Sequence, residues 1–150
     1  MRIGKLVLLS LGIAVLLPPL IFLIAALTSG LSLPESLQAC IEQSVAERQN
    51  LAVCAALGCA PILLLGAILA IYQRLSGNTE RAALLGVGGL IPILLVLAWA
   101  NYSFWPIFLP ERVYPGFPHG LELVLGPLIY APAGMLIGLA TAWLSSRQVT

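Results

Sequence analysis

Leu51–Tyr72 reads LAVCAALGCAPILLLGAILAIY, an apolar run with no charged side chain. About 20 such residues, rising ~1.5 Å each in a helix, match the roughly 30 Å hydrocarbon core of a bilayer. Three more stretches have the same character: Leu6–Leu27, Ala82–Asn101 and Leu121–Leu144, the last charged only at Glu122 in its first turn. The chain is 60% hydrophobic and 9% charged, against about 25% charged residues in an average soluble domain. The sequence therefore predicts an all-α membrane protein: one domain over residues 1–150, a bundle of four transmembrane helices in lipid. Net charge is +1, and no basic patch points to nucleic acid.

Arg2 and Lys5 precede the first run as the n-region of a secretory signal would, but the run exceeds the 7–15 apolar residues of such a signal and reads as a retained helix. Basic residues set the expected topology. Arg2, Lys5, Arg74, Arg81 and Arg147 fall on one side, and Arg48 and Arg112 on the other. The positive-inside bias places both termini and the Gln73–Arg81 turn in the cytoplasm, in a bacterial inner membrane or a thylakoid membrane. In that turn Gly77 and Asn78 suit a left-handed helix end, and Thr79 is the expected cap of the third span.

The first outer connection carries a helix signal. Ser32-Leu33-Pro34-Glu35 has the pattern of a capping box, in which a Ser hydroxyl and a Glu carboxylate satisfy exposed backbone N–H groups. Leu33, Leu37, Ile41 and Val45 recur every four residues as one apolar face of an extracytoplasmic amphipathic helix. It either lies on the membrane surface and bends near Asn50 or runs straight into the second span. The lack of Gly or Pro between Ser36 and Leu57 favours the straight form.

The second outer connection interleaves Tyr102, Phe104, Trp105, Phe108, Tyr114 and Phe117 with Pro106, Pro110, Pro115 and Pro118. Trp and Tyr favour the headgroup region, and proline stiffens the loop. It reads either as an interfacial cap or as a docking surface, with Trp105, Phe108 and Tyr114 as contact residues.

Helices in lipid gain nothing hydrophobic by touching, so close backbone packing must hold them. The fourth span carries Gly134-xxx-Gly138-xxx-Ala142, a small-residue ladder for packing within the bundle or on a partner's helix. Shorter ladders are Ala52-xxx-Ala56-xxx-Ala60, Gly66-xxx-Ala70 and Ala82-xxx-Gly86. Every span also holds proline, which frees carbonyls near Val15, Leu57, Gly88 and Leu128 that need partners.

Ion-coupled carriers and voltage sensors need ionisable groups at membrane depth, and the interiors of these runs hold none. One histidine, His119, cannot form a bis-His haem site, so no haem is expected. Cys40, Cys54 and Cys59 contain no Cys-x-x-Cys. Cys40 and Cys54 would lie about 21 Å apart on a continuous helix, so a redox pair requires a break near Asn50. His119, Glu122, Glu111 and Arg112 form the one polar cluster, a candidate for a ligand or metal or a solvated helix start.

These residues lead to one principal functional expectation: a non-catalytic accessory, assembly or interaction subunit, whose partners are the bilayer and other membrane subunits or a second copy. Bound lipid is expected, with a pigment or quinone as further candidates. The alternatives are a membrane thiol–quinone oxidoreductase and a small channel or carrier.

Overall fold

A computed structural model describes residues 3–109 and 120–146. Four helices have the length and composition of membrane spans: α1 (Ile3–Thr28), α3 (Arg48–Ser76), α4 (Thr79–Phe104) and α5 (Leu121–Ser145). A shorter helix, α2 (Leu33–Ala46), lies between the first two, and a 3-10 turn, Trp105–Phe108, follows α4. The protein is a four-helix membrane bundle with an added amphipathic helix. Only 33% of each span's most apolar window is buried by the protein. The remaining apolar surface needs lipid as its solvent.

α3 and α4 form a central pair, with α1 packed on one side of it and α5 on the other. The glycines of α4 permit this, because between them they turn bare backbone toward all three neighbouring spans. Gly86 lies against Leu6 and Leu69, Gly89 against Leu65 and Leu139, and Gly88 against α5. The mid-bundle core is apolar, with Leu17, Ile62, Leu65, Ile93, Leu97 and Met135 among its buried members. Intramembrane hydroxyls turn back on their own helices: Ser10 donates to the Leu6 carbonyl at 2.7 Å and Thr141 to that of Gly138 at 2.9 Å. Neither of these two hydroxyl hydrogens is thereby left bare in hydrocarbon.

The α4–α5 seam is the tightest, and it runs antiparallel. Gly126 faces Ala100, Gly134 faces Pro92 and Gly138 faces Gly88. Pro92 has no N–H, so the Gly88 carbonyl loses its helical partner. That oxygen lies against the Cα of Gly138, where only a hydrogen fits. A weak Cα–H donor meets the freed acceptor there. The Gly134–Gly138–Ala142 ladder is thus taken up by α4 inside the bundle.

Proline also reshapes α5. Gly126–Tyr130 forms a π turn, in which the Ala131 N–H reaches back to the Gly126 carbonyl. The wider turn accommodates Pro127 and Pro132, both within one turn of the bulge.

The α3–α4 hairpin differs from the sequence reading in one detail. Gly77 takes the left-handed conformation, φ 66°, that ends α3. Asn78, not Thr79, caps α4: its Oδ1 accepts the Arg81 N–H at 2.9 Å. Once Gly77 has turned the chain, Asn78 is extended and Thr79 already lies inside the helix.

α2 corrects a larger expectation. It does not run straight into α3. The helix breaks at Glu47, φ −106° and ψ 29°, and restarts at Arg48. Helix propensity does not cause this, because Ala46, Glu47 and Arg48 are all good helix formers. The bend lets Ala39 and Cys40 cover an apolar cluster built from Phe22, Ala25, Ala26 and Cys54. A straight rod would leave that cluster open. Asn50 marks the bend by donating to the Glu47 carboxylate at 2.6 Å.

Candidate interaction surface

With about 100° between successive residues, α2 has three faces rather than two. Ser36, Ala39, Cys40 and Gln43 turn toward the bundle, and Ser36 is fully buried. Its hydroxyl has no hydrogen-bond partner among the described residues, so the contact uses its smallness. Roughly 120° around the wheel lie Leu33, Leu37, Ile41 and Val45. These are 56%, 44%, 64% and 70% exposed. The third face carries Glu35, Gln38 and Glu42, with a Gln38-to-Glu42 hydrogen bond of 2.8 Å. Such a helix suits the line where protein, lipid and water meet. One face packs on the bundle, one is apolar and free, and one is hydrated.

α2 is held at its start and near its middle. At its start the Ser32 N–H and O–H both donate to the Glu35 carboxylate, at 2.9 and 2.6 Å. These bonds hold the Glu35 carboxyl below its ordinary pKa of 4.5. Near its middle the Cys40 thiol reaches the Pro19 carbonyl at 3.4 Å, pinning α2 to the proline pair of α1.

The outer aromatic residues form a plug beside α2. Trp105 is 1% exposed, with Phe104 edge-on at 5.1 Å and Phe108 at 5.7 Å. Its indole N–H donates to Asn101 Oδ1 at 2.9 Å, and Asn101 donates to the Leu97 carbonyl at 2.8 Å. Leu109 and Leu123 complete the cluster. Trp105 is a core residue with no outward face to offer, and Phe108 is half-buried against the same cluster. Neither role was legible, because an aromatic next to proline reads equally as anchor or as core.

Of the polar candidates, Glu122 stands half-exposed in the first turn of α5, after the left-handed Gly120. Its negative charge suits that helix end. His119, Glu111, Arg112 and Tyr114 lie outside the described residues. Among the described residues no three His, Cys, Asp or Glu side chains converge as a metal site would require.

All three cysteines are free thiols. Cys54 belongs to the cluster under α2 and Cys59 borders the mid-bundle core. Cys40 approaches the same cluster as Cys54, as the bend at Glu47 permits. Burial pushes the Cys40 thiol above its ordinary pKa of 9.0, partly offset by a hydrogen bond with Ser44. The nucleophile is the thiolate, whose share at neutral pH is therefore smaller than in a free cysteine. Cys40 should react with maleimide at pH 7 several-fold more slowly than glutathione and accelerate as the pH passes 9. Mass spectrometry of timed samples checks this, and a rate above that of glutathione would contradict it.

Compared with protein families, curated proteins and solved structures, the chain matches no family model, no curated protein and no solved structure.

Proposed function

We propose that this protein is a non-catalytic accessory or assembly subunit that binds a neighbouring membrane protein through α2. One observation carries the reading. α2 packs on its own bundle through small residues and leaves its four-residue apolar stripe of Leu33, Leu37, Ile41 and Val45 outward. An amphipathic helix seats in a partner's groove by laying down its apolar face, here spaced at i, i+4, i+8 and i+12. The helix is pinned at the Ser32–Glu35 cap and at Pro19, so little ordering entropy opposes docking.

Charge supports the orientation in this proposal. The hairpin end is flanked by five basic residues and one acidic residue, and the α2 end by two basic and five acidic. The hairpin end is then cytoplasmic and α2 faces the opposite compartment of a bacterial inner membrane or thylakoid membrane. The spacing of Cys40, Cys54 and Cys59, with no Cys-x-x-Cys pair, disfavours the thiol oxidoreductase alternative.

Purification from native membranes in mild detergent tests the proposal. The wild-type chain should carry a companion polypeptide at fixed ratio. Leu37→Lys with Ile41→Lys should reduce that companion at least about tenfold, with thermal unfolding unchanged. Neither side chain packs on the bundle, so the variant should fold. A wild-type chain that purifies alone, or a companion unaffected by the two lysines, would end this reading.

A further inference from the structure

A second surface lies on the other side of the molecule, at the hairpin end. An open groove of about 540 Å³ runs along the outer side of the α1–α3 contact there. Val7 and Leu11 form one wall and Leu63 and Ala70 the other. Gly66 makes the floor: an added Cβ there would come within 2.9 Å of Val7. The walls are apolar except at the mouth, where Gln73 lines the opening.

From Gly4 to Leu11 the groove runs roughly 10 Å along the helix axis, and one leaflet of the hydrocarbon core is about 15 Å deep. Its lining ends at Leu11 on α1 and at Leu63 on α3. The groove thus occupies one leaflet only. A partner's spanning helix would need a seam along the whole rod, whereas an acyl chain needs only this depth.

The mouth has a definite charge. Arg74 follows Gln73 and, at about 100° per residue, falls on the groove side of α3. Lys5 follows the lining residue Gly4 in the first turn of α1. Both are exposed, and neither forms an ion pair among the described residues. The first N–H groups of α1 point the positive end of that helix at the same place. Two cations, a side-chain amide and a helix start thus lie at the end of the bundle where the groove opens, Lys5 about 60° round α1 from the lining residue Leu8.

We infer that the α1–α3 groove is a binding site for one anionic phospholipid, its acyl chain lying over Gly66 and its phosphate held by Lys5, Arg74 and Gln73. The inference does not depend on the docking role of α2, which lies at the other end.

Native mass spectrometry of the full chain, delipidated and then offered equal dioleoyl phosphatidylglycerol and dioleoyl phosphatidylcholine, tests it. Attraction of about 1 kcal/mol per basic side chain near the surface corresponds to about fivefold in retention. The wild type should prefer phosphatidylglycerol by at least that factor. Arg74→Gln should reduce the preference about fivefold, and Lys5→Gln with Arg74→Gln should abolish it. Ala67→Phe, which fills the groove from an exposed lining position, should lower retention of both lipids more than tenfold.

Equal retention of the two lipids by the wild type would overturn the inference. So would an unchanged preference in the doubly neutralised variant, which alters no packed residue and remains decisive if Ala67→Phe misfolds. Disulfide crosslinking of two copies through Ala70→Cys, with no lipid retained, would assign the groove to a second copy instead and likewise overturn it.

Discussion

Gly138→Leu should separate α5 from α4 and destabilise the bundle by about 3 kcal/mol or more, the upper range for overpacking a tight site. The first added carbon would already overlap the Gly88 carbonyl oxygen, and Pro92 Cγ is only 2.9 Å away. Neither neighbour can yield as a flexible side chain would, because one is backbone and the other a ring. Moving the helices apart also removes the acceptor contact of a carbonyl that Pro92 has already orphaned, in a medium with no water to replace it. Gly138→Ala should fall between wild type and leucine. Gly12→Leu is the control: nothing lies within 4 Å of that position, and stability should hardly change. Denaturation in mixed detergent micelles, followed by helical circular dichroism, measures all three. Equal stabilities of the two leucine variants would refute the seam described here.

Trp105→Ala should cost about 3–5 kcal/mol, the range for emptying a large aromatic site in a core. The ring is nearly inaccessible and touches Phe104 and Phe108, so its removal leaves a void that the end of the bundle cannot easily fill. The loss has a second part. Asn101, itself buried, would lose the donor to its side-chain oxygen. Asn101→Leu alone, which strands the indole N–H instead, should cost about 1–3 kcal/mol. Because the two side chains share one bond, the double variant should be less destabilised than the sum of the singles. Unfolding free energies of the four proteins give that coupling. Strict additivity would show that the indole–amide bond contributes nothing.

The span count was readable because only lipid reconciles runs such as Leu51–Tyr72 with an uncharged interior. The cap at Ser32–Glu35 and the stop at Gly77 were readable for a similar reason, since each depends on neighbours in sequence. The bend at Glu47 was not. Its cause is the apolar cluster on α1 and α3, which local sequence does not reveal. The partner of the Gly134–Gly138 ladder was half visible. Pro92 announces a freed carbonyl at Gly88, but no spacing rule matches an orphan acceptor on one helix to a bare Cα on another. For the candidate interaction surface, the sequence revealed the four apolar residues of α2 and not their direction. An amphipathic helix beside a bundle is expected to turn its apolar stripe inward, yet Ser36, Ala39 and Cys40 occupy that side.

The diamond arrangement, with α1 and α5 on opposite flanks of the α3–α4 pair, bears on how the chain assembles. Neither flanking helix waits for the other. The hairpin closed by Gly77 and Asn78 is a local event and can serve as a template to which each end of the polypeptide attaches separately. Truncation after α4 should therefore leave a three-helix unit with its own contacts intact, and the last helix can arrive late in synthesis without reopening what is already built.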